Sequence, residues 1–307
     1  MNRLKKLQSS FQSLFISVLL LTFLTIPLFA QSYREYNHKF DISAHLSKNS
    51  IFLQSNEKYY KSNTPVSARI GFSLKNTIVN IGYGFSLGDT FGESDKVNKE
   101  VKNTDFIDLK LHKYGQNYIL DLFFQHYKGF YNDDKDKIEV YPDLTVSQYG
   151  AAFSYLFNGE NFSSGAAFEQ SQKQLDSAGS FIAGCGIYFT KVNNADDVFA
   201  ENENYDTNLR IGISGGYAYS YVLSQHWLLS AGITEGFYTG KYLYRSGDLL
   251  MNFNTLLRMS IGYNCDNWGV SLFFTHNVYH YNVFKDEALS LNLNAQEFQI
   301  KYARRFY

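Results

Sequence analysis

The sequence has 307 residues and nearly balanced charge, with 28 Lys and Arg against 29 Asp and Glu and a formal net charge of −1. The cations are spread along the chain without a basic stripe, so no nucleic-acid partner is expected. Aromatic residues make up 18% of the chain and only 3 prolines occur, a composition that favours a large β-structure.

The first 30 residues have the three parts of a secretory signal peptide. Arg3, Lys5 and Lys6 give a positive start, an apolar run follows, and Ala30 is a small residue at the expected cleavage point. Pro27 and scattered Ser and Thr residues interrupt the run, which favours a cleaved signal over a membrane anchor. Cleavage removes three cations and changes the net charge from −1 to −4 (−1 − 3).

Apolar and polar residues alternate along most of the remaining chain, and this period of two is typical of β-strands. Phe253 and Met259, for example, lie on one face of a segment whose other face carries Asn254 and Ser260. In chain order the pattern predicts strands at 65–75, 77–88, 103–113, 117–128, 143–158, 161–171, 178–191, 207–222, 226–240, 249–264, 267–281 and 294–307. These make 12 strands, and a further pair near 39–47 and 50–55 would make 14.

Strand length separates a membrane barrel from a soluble exported sandwich. Strands of soluble proteins have about five or six residues, whereas a tilted strand that crosses a bilayer needs about 9–11. Most of the predicted segments reach the greater length, and their polar faces carry mainly Gly, Ser, Asn and Thr, which suits a narrow barrel interior. We therefore predict an all-β fold, a closed antiparallel transmembrane β-barrel of about 12 strands, with 10 or 14 as alternatives.

The predicted organisation has three parts. Residues 1–30 form the cleaved signal peptide, residues 31–62 form an N-terminal segment with one or two strands, and residues 63–307 form the outer-membrane β-barrel. Short turns of such barrels face the periplasm, and long loops face outward. Counted back from the C-terminus, this order holds to about residue 192 and then inverts. Either one element near 161–207 is miscounted, or the barrel breaks the rule.

One predicted turn has a specific chemical signal. Asn158-Gly159 separates two alternating segments, and this residue pair strongly favours a tight hairpin turn. The pair therefore predicts a hairpin between the strands at 143–158 and 161–171.

Charged residues on the polar faces are expected to point into the lumen. The predicted lumen-lining charges are Arg69, Lys75, Asp108, Lys110, Asp121, Arg210, Arg258, Glu297 and Lys301, together with Arg305. Mixed charges there either line a small-solute pore or close it by pairing. A passive channel would conduct ions, and its conductance would change when Arg210 or Arg258 is neutralised. A structural barrel would show no ion conductance.

One polar cluster has residue types found in active sites. Asp108, Lys110 and His112 share one face of a predicted strand, and Asp121 lies on the adjacent strand. A lipid hydrolase would need a nucleophilic Ser, a His and an orienting group close together at the membrane interface. Mutually compensating lumen charges explain the same cluster more simply. We therefore predict no catalytic residues.

No metal or cofactor site is predicted either. The seven His lack the spacing of a metal site, and His276 and His280 lie about 13 Å apart on a strand. Cys185 falls on the apolar face of a strand and Cys265 in a turn, so the two cysteines are not expected to form a disulfide.

The C-terminal stretch EFQIKYARRFY places apolar residues at alternate positions. Phe298, Ile300, Tyr302 and Phe306 share one face, and Tyr307 follows them. This arrangement resembles the terminal aromatic signal that the barrel-assembly machinery reads. We therefore expect that machinery and outer-membrane lipids to be partners of the protein.

Four blocks of sequence together resemble a known family. They are NTPVSARIGFSLKNTIVNIGYGFSL (63–87), YILDLFFQHYKGFY (118–131), YPDLTVSQYGAAFSYLFN (141–158) and DSAGSFIAGCGIYFT (176–190). Their order and spacing are similar to an uncharacterised outer-membrane family of Bacteroidota, known as domain of unknown function 4421. The resemblance implies a β-barrel-like outer-membrane protein, and it implies no activity and no catalytic residues.

These observations predict an integral outer-membrane β-barrel that is exported by a signal peptide and is not an enzyme. Its role is predicted to be that of a small-solute pore or of a structural barrel of the cell envelope. A lipid-modifying hydrolase and a soluble exported β-sandwich are the alternatives.

Overall fold

The computed structural model describes residues 32–55, 58–75, 77–83, 97, 100–133, 137–194, 205–243, 250–281 and 291–307. The predicted signal peptide lies outside these residues. The described part of the chain contains β1 (Tyr33–Glu35), β2 (Phe40–Ser55), β3 (Lys58–Lys61), β4 (Ser67–Leu74), β5 (Thr77–Tyr83), β6 (Asp105–Tyr114), β7 (Tyr118–Asn132), β8 (Glu139–Leu156), α1 (Ser164–Glu169), β9 (Gln172–Gln174), β10 (Ala178–Asn193), β11 (Tyr205–Val222), β12 (Trp227–Tyr242), β13 (Leu250–Asn264), β14 (Trp268–Tyr281) and β15 (Leu291–Phe306).

Twelve of these strands form a closed barrel. The order around the wall is β2, β4, β5, β6, β7, β8, β10, β11, β12, β13, β14 and β15, and β15 pairs with β2 to close the ring. Every pairing in the wall is antiparallel, and at the closure Phe40 lies opposite Phe306 and Ser55 lies opposite Leu291. The closed antiparallel barrel of about 12 strands predicted from the sequence is confirmed.

The predicted strand at 161–171 is wrong, because this segment forms the short helix α1. The Ser163 side chain caps the helix by accepting a hydrogen bond of 2.9 Å from the Ala166 backbone N–H, and Gln170 ends it in a left-handed conformation. No helix in the described residues has the length and apolar character needed to cross a membrane.

The hairpin predicted at Asn158-Gly159 is also wrong. The pair begins a longer turn, in which Asn158 O accepts hydrogen bonds from the backbone N–H groups of Asn161 and Phe162. A Cβ atom at Gly159 would lie 2.0 Å from the backbone oxygen of Gln116. The glycine is therefore needed for close approach to the neighbouring turn and does not mark a hairpin.

A second correction concerns the N-terminal segment. The stretch predicted as a pair of strands, 39–47 and 50–55, is the single long strand β2, and this strand belongs to the barrel wall. The barrel therefore begins at Phe40 and not at residue 63. One predicted strand is lost and one is gained, so the number 12 is unchanged.

The two corrections remove the inversion in loop order. Tight turns at 115–117, 223–226 and 265–267 now lie at one end of the barrel, the turn end, which also holds the start of β2. At the opposite end, the loop end, β5 ends at Tyr83 and β6 begins only at Asp105, and β10 ends at Asn193 and β11 begins only at Tyr205. The connection 157–177, which contains α1 and β9, is the long exception at the turn end.

The outer surface is apolar over the middle of the strands. Exposed outward side chains include Ile70, Phe72, Ile81, Phe181, Ile211, Ile213, Ile233, Phe237, Met259, Leu272, Phe298 and Ile300. At the turn end, the Tyr263 ring lies 5.4 Å from the Trp227 ring and 5.6 Å from the Trp268 ring. An apolar band bordered by Trp and Tyr is the exterior of a transmembrane barrel.

The lumen contains two apolar layers. The loop-end layer consists of Ile51, Leu53, Tyr60, Phe106, Tyr127, Phe130, Leu144, Val146, Val192, Tyr279 and Leu293. The turn-end layer consists of Ile78, Tyr114, Ile119, Leu156, Phe162, Ala167, Ile182 and Ala218. Phe162 and Ala167 come from the 157–177 connection, which therefore enters the barrel and packs against its inner wall.

The position of Ile213 at the middle of β11 gives a first prediction. Lysine introduced there should destabilise the barrel by about 2–4 kcal/mol, because the ammonium group would face the centre of the lipid. In the matched variant Leu209→Lys, four residues nearer the loop end, the cost should be about 0–1 kcal/mol. Urea unfolding in lipid vesicles measures both, and equal midpoints for the two variants would contradict an outward, mid-membrane Ile213.

Candidate functional site

Four charged side chains form a network on one side of the lumen. Arg69 Nη2 lies 2.7 Å from Asp108 Oδ2, and Arg69 Nη1 also donates to Glu297. Lys110 Nζ lies 2.8 Å from Glu297 Oε2 and 3.2 Å from Asp108 Oδ2. Gly82 makes room for this arrangement, since a Cβ atom there would lie 2.6 Å from Arg69 Nε. Each carboxylate in the network therefore contacts both cations.

A second network connects the wall to α1. His112 Nδ1 lies 2.6 Å from Asp121 Oδ1, and Arg258 Nη2 lies 3.5 Å from Asp121 Oδ2. His112 Nε2 lies 4.0 Å from Glu169 Oε1, and Lys301 Nζ lies 3.1 Å from Glu169 Oε2. Glu169 is the last residue of α1, so this network joins the helix to β6 and β15.

Residues 157–177 form the segment that is called the plug below. Further hydrogen bonds hold the side of the plug that faces β13 and β15. Gln170 donates to Ser260 Oγ (3.0 Å) and accepts from the Asn264 side chain (2.8 Å). Ser260 in turn donates to the backbone oxygen of Ala167 (2.7 Å). Arg305 donates to the backbone oxygen of Gln170 (3.2 Å). The plug is thus bound to inward-facing polar residues of β13 and β15.

The N-terminal residues support the plug from the turn end. β1 pairs with β9, and the Tyr33 hydroxyl donates to Gly159 O at 3.1 Å. The Arg305 guanidinium lies 3.7 Å from the ring centroid of Tyr36. Burial raises the pKa of Tyr36 to about 12, so its phenol stays neutral beside that cation.

Toward the loop end lies Arg210, the largest fully buried side chain among the described residues. It donates to Thr190 Oγ1 at 2.7 Å, and its guanidinium lies 5.1 Å from the Tyr279 ring and 5.9 Å from the Tyr188 ring. The Tyr188 ring also lies 5.2 Å from the Tyr238 ring. Arg210 and these tyrosines therefore form a packed group next to the loop-end layer.

A cavity of about 240 Å³ lies between the plug and this packed group. Phe168 and Glu169 of the plug line it, and both charged networks reach it through Lys110, Glu297, Asp121 and Arg258. Aromatic residues line it as well, namely Phe123, Tyr188, Tyr238, Phe273 and Tyr279. Small residues on β11 and β12, such as Ser214, Gly232 and Gly236, leave the space open.

Most of the charges predicted for the lumen lie there. Residues Arg69, Asp108, Lys110, Asp121, Arg210, Arg258, Glu297, Lys301 and Arg305 all point inward from wall strands. Lys75 does not, because it is exposed in the β4–β5 turn with a φ of 55°. The prediction for Lys75 is therefore wrong, and the reason is that β4 ends one residue before it.

The plug residues Phe168, Glu169 and Gln170 are not recognisable from alternation, which predicts a wall strand at 161–171. The inverted loop order is the signal in the sequence that an element near 161–207 is miscounted. The outward face of β15 carries Phe298, Ile300, Tyr302 and Phe306, and the exposed Tyr307 follows this strand.

Within the described residues, no group of three or more His, Cys, Asp or Glu is placed to hold a metal ion.

A closed barrel with an apolar exterior and a plug in its lumen is a transmembrane β-barrel protein. The chain belongs to the family described as "Domain of unknown function (DUF4421)", whose model matches residues 28–306. The resemblance found in the sequence is thereby confirmed, and the Bacteroidota origin stays a prediction. No curated protein matched the chain.

Several solved outer-membrane proteins are similar to the chain at low identity. The β domain of the Bordetella autotransporter BrkA has 14% identity and a TM-score of 0.41, covering 87% of this chain and 100% of that one. An outer-membrane channel from Pseudomonas putida F1 has 10% identity and a TM-score of 0.38, with 92% and 100% covered. The outer-membrane protease OmpT from Escherichia coli has 7% identity and a TM-score of 0.36, with 93% and 100% covered. At these identities none of them lends its activity to this chain.

The contacts of Glu297 give a second prediction. Glu297→Gln should destabilise the barrel by about 3 kcal/mol, because Arg69 and Lys110 would be left in the lumen with Asp108 as their remaining acid. The matched variant Glu139→Gln removes a carboxylate that pairs with exposed Lys137, and it should leave the urea midpoint unchanged. A Glu297→Gln midpoint equal to that of the wild type would show that the network does not stabilise the fold.

Proposed function

We propose that the protein is an integral outer-membrane barrel that works as a gated path for small solutes, with the plug as its gate. The observation that carries the proposal is how the plug is attached. Its covalent links are with β8 and β10, and Phe162 and Ala167 pack against these strands and their neighbours. Its polar contacts through Glu169 and Gln170 are with β13 and β15, which lie farther around the wall.

This attachment supports a movement of the plug about one side. Each neutral hydrogen bond contributes about 0.5–1.5 kcal/mol, and each bond to a charged group about 1.5–3 kcal/mol. Loss of the contacts that β13 and β15 make with the plug, through Ser260, Asn264, Lys301 and Arg305, would free that side of it. The apolar contacts of Phe162 and Ala167 would keep the near side in place.

The resting barrel is proposed to be closed to ions. The plug occupies the turn end, and the loop-end layer together with buried Arg210 occupies the other end. The described lumen between them combines aromatic residues with acids and cations that compensate one another. Such an arrangement supports a gated path over a permanently open pore.

The proposed location is the outer membrane. A closed barrel satisfies every backbone polar group in lipid without a free edge, and export by the predicted signal peptide would deliver the chain there. Short turns at the turn end favour its placement toward the periplasm, which puts the plug on the periplasmic side. The aromatic outward face of β15 supports recognition by the barrel-assembly machinery, and the apolar band supports contact with outer-membrane lipids.

The proposal assigns no catalytic activity. The His112–Asp121 pair lies in the lumen, where its described ionic contacts are with Glu169 and Arg258, whereas a hydrolase would need a nucleophilic Ser next to the His. Ser43 and His45 are also hydrogen-bonded, at 2.7 Å, but each side chain is only 2% exposed. A structural barrel of the envelope is the competing role, because the plug and the loop-end layer pack the described lumen toward its two ends.

Planar-bilayer recording distinguishes the gate from a structural barrel. The wild-type protein should be nearly silent, and Lys301→Met should show brief openings, because it removes the contacts with the Glu169 carboxylate and backbone oxygen. The matched variant Lys191→Met changes an outward, exposed lysine and should stay silent.

A stronger variant replaces residues 164–174 with a Gly-Ser linker of equal length and adds Arg210→Ala. This combination removes α1 and β9 from the turn end and the buried Arg210 guanidinium from the loop end, so it should give longer and larger conductance steps than Lys301→Met. Silence of a correctly folded combined variant would rule out the gated path and support the structural role.

A further inference from the structure

We infer that the central cavity binds an uncharged, hydroxyl-rich solute of about the size of a monosaccharide. The inference deepens the proposed function and rests on it, since this ligand would be the solute that the gate admits. Four independent features of the cavity point to this class: its volume, its charge balance, its unpaired amides and its aromatic wall.

The volume sets the size of the ligand. The cavity measures about 240 Å³, and a protein cavity of about 150 Å³ holds one benzene molecule. The space therefore suits one organic molecule of about the size of a single sugar ring. It is smaller than the roughly 300–1,000 Å³ of sites for drug-sized ligands.

The charge balance favours a neutral ligand. Four carboxylates, Asp108, Asp121, Glu169 and Glu297, face four cations, Arg69, Lys110, Arg258 and Lys301. Each carboxylate contacts at least one of these cations, so the charges are already engaged with one another. An ionic ligand would have to displace an existing ion pair, whereas a neutral ligand would not.

Unpaired amides supply the polar contacts. Asn49, Asn80 and Asn254 are 4%, 6% and 6% exposed, and they line the cavity from three separate wall strands. Asn80 Oδ1, Asn254 Oδ1 and both amide atoms of Asn49 have no hydrogen-bond partner in the described part of the chain, and neither does Asn277 Oδ1. A buried group left unpaired costs about 1–3 kcal/mol. The four oxygens are acceptors and Asn49 Nδ2 is a donor, so these amides favour a ligand with several hydroxyl groups, which both donate and accept.

The aromatic wall supplies the remaining contact. Phe123, Tyr188, Tyr238 and Tyr279 contribute to the lining of the same space. A ring face can pack against C–H groups, while the amides bind hydroxyl groups at the edge of the same molecule. A sugar-sized ring has both an apolar C–H face and a polar edge, which matches the two kinds of wall.

Isothermal titration calorimetry on the detergent-solubilised full chain tests the class of ligand. The neutral probes are glucose, N-acetylglucosamine and myo-inositol, and the charged probes are glucose 6-phosphate and glucosamine. At least one neutral probe should bind, and the charged forms of glucose should bind at least about tenfold more weakly than it. Absence of binding by all three neutral probes at millimolar concentration, or equal or tighter binding of the charged forms, would overturn the inference.

Two variants on the same strand locate the site. Asn254→Leu should weaken binding by about tenfold, because it removes one acceptor of the cavity. Asn252→Leu changes an inward amide two residues away that does not line the cavity, and it should leave the affinity unchanged. Ser214→Phe fills the cavity from β11 and should abolish binding, which provides a second test if Asn254→Leu does not fold. Unchanged affinity in folded Asn254→Leu or Ser214→Phe would place the binding elsewhere.

Failure of this inference differs from failure of the gate. A plug variant that conducts, in a protein that binds none of the neutral sugars, refutes the ligand class alone. A protein that binds a neutral sugar in the cavity while the combined plug variant stays silent refutes the gate alone.

Discussion

Closure of the wall by pairing of β15 with β2 is the constraint on which the rest of the structure depends. A bilayer offers no water to backbone N–H and C=O groups, so each of them must find a partner within the protein. The continuous register from Phe40–Phe306 to Ser55–Leu291 removes the two edges that a sheet would otherwise have. Once the ring is closed, alternate residues must face lipid and lumen, and the two surfaces acquire opposite chemistry.

The lumen then has to be filled, and the protein fills it in layers. Apolar side chains occupy both ends, and charged groups occupy the middle, where each acid has a basic partner. Removing one member of such an ion pair destabilises the fold, because the other charge is left in a poorly solvated place without a partner. The balance between Glu297, Arg69 and Lys110 therefore limits which residues the barrel interior can accept.

The wall was largely predictable from the sequence, because the period of two is a local property that each strand carries by itself. Phe253 and Met259 on one face, and Asn254 and Ser260 on the other, give the orientation of β13 without knowledge of its neighbours. The partners of the lumen charges were not predictable. Arg69 and Glu297 are 228 positions apart in the chain, and only the closed ring brings them together.

The plug could not be recognised by the same reasoning. Residues 161–171 alternate well enough to be mistaken for a strand, and Asn158-Gly159 adds a genuine turn signal to the error. What separates them from a strand is tertiary: the Ser163 cap, the left-handed Gln170 and the close approach of Gly159 to Gln116. The strand at 40–55 was divided for the opposite reason, since the polar residues Ser47, Lys48, Asn49 and Ser50 resemble a turn when the pairing with β15 is unknown.

The small sheet formed by β1 and β9 has a mechanical consequence. β1 directly precedes the first wall strand, so the plug is fastened to the beginning of the barrel as well as to β8 and β10. A plug released from β13 and β15 therefore cannot leave the lumen as a free body, and its travel is limited by three tethers. Tension applied to the chain ahead of β2 would be transmitted through the β1–β9 hydrogen bonds to the C-terminal end of α1.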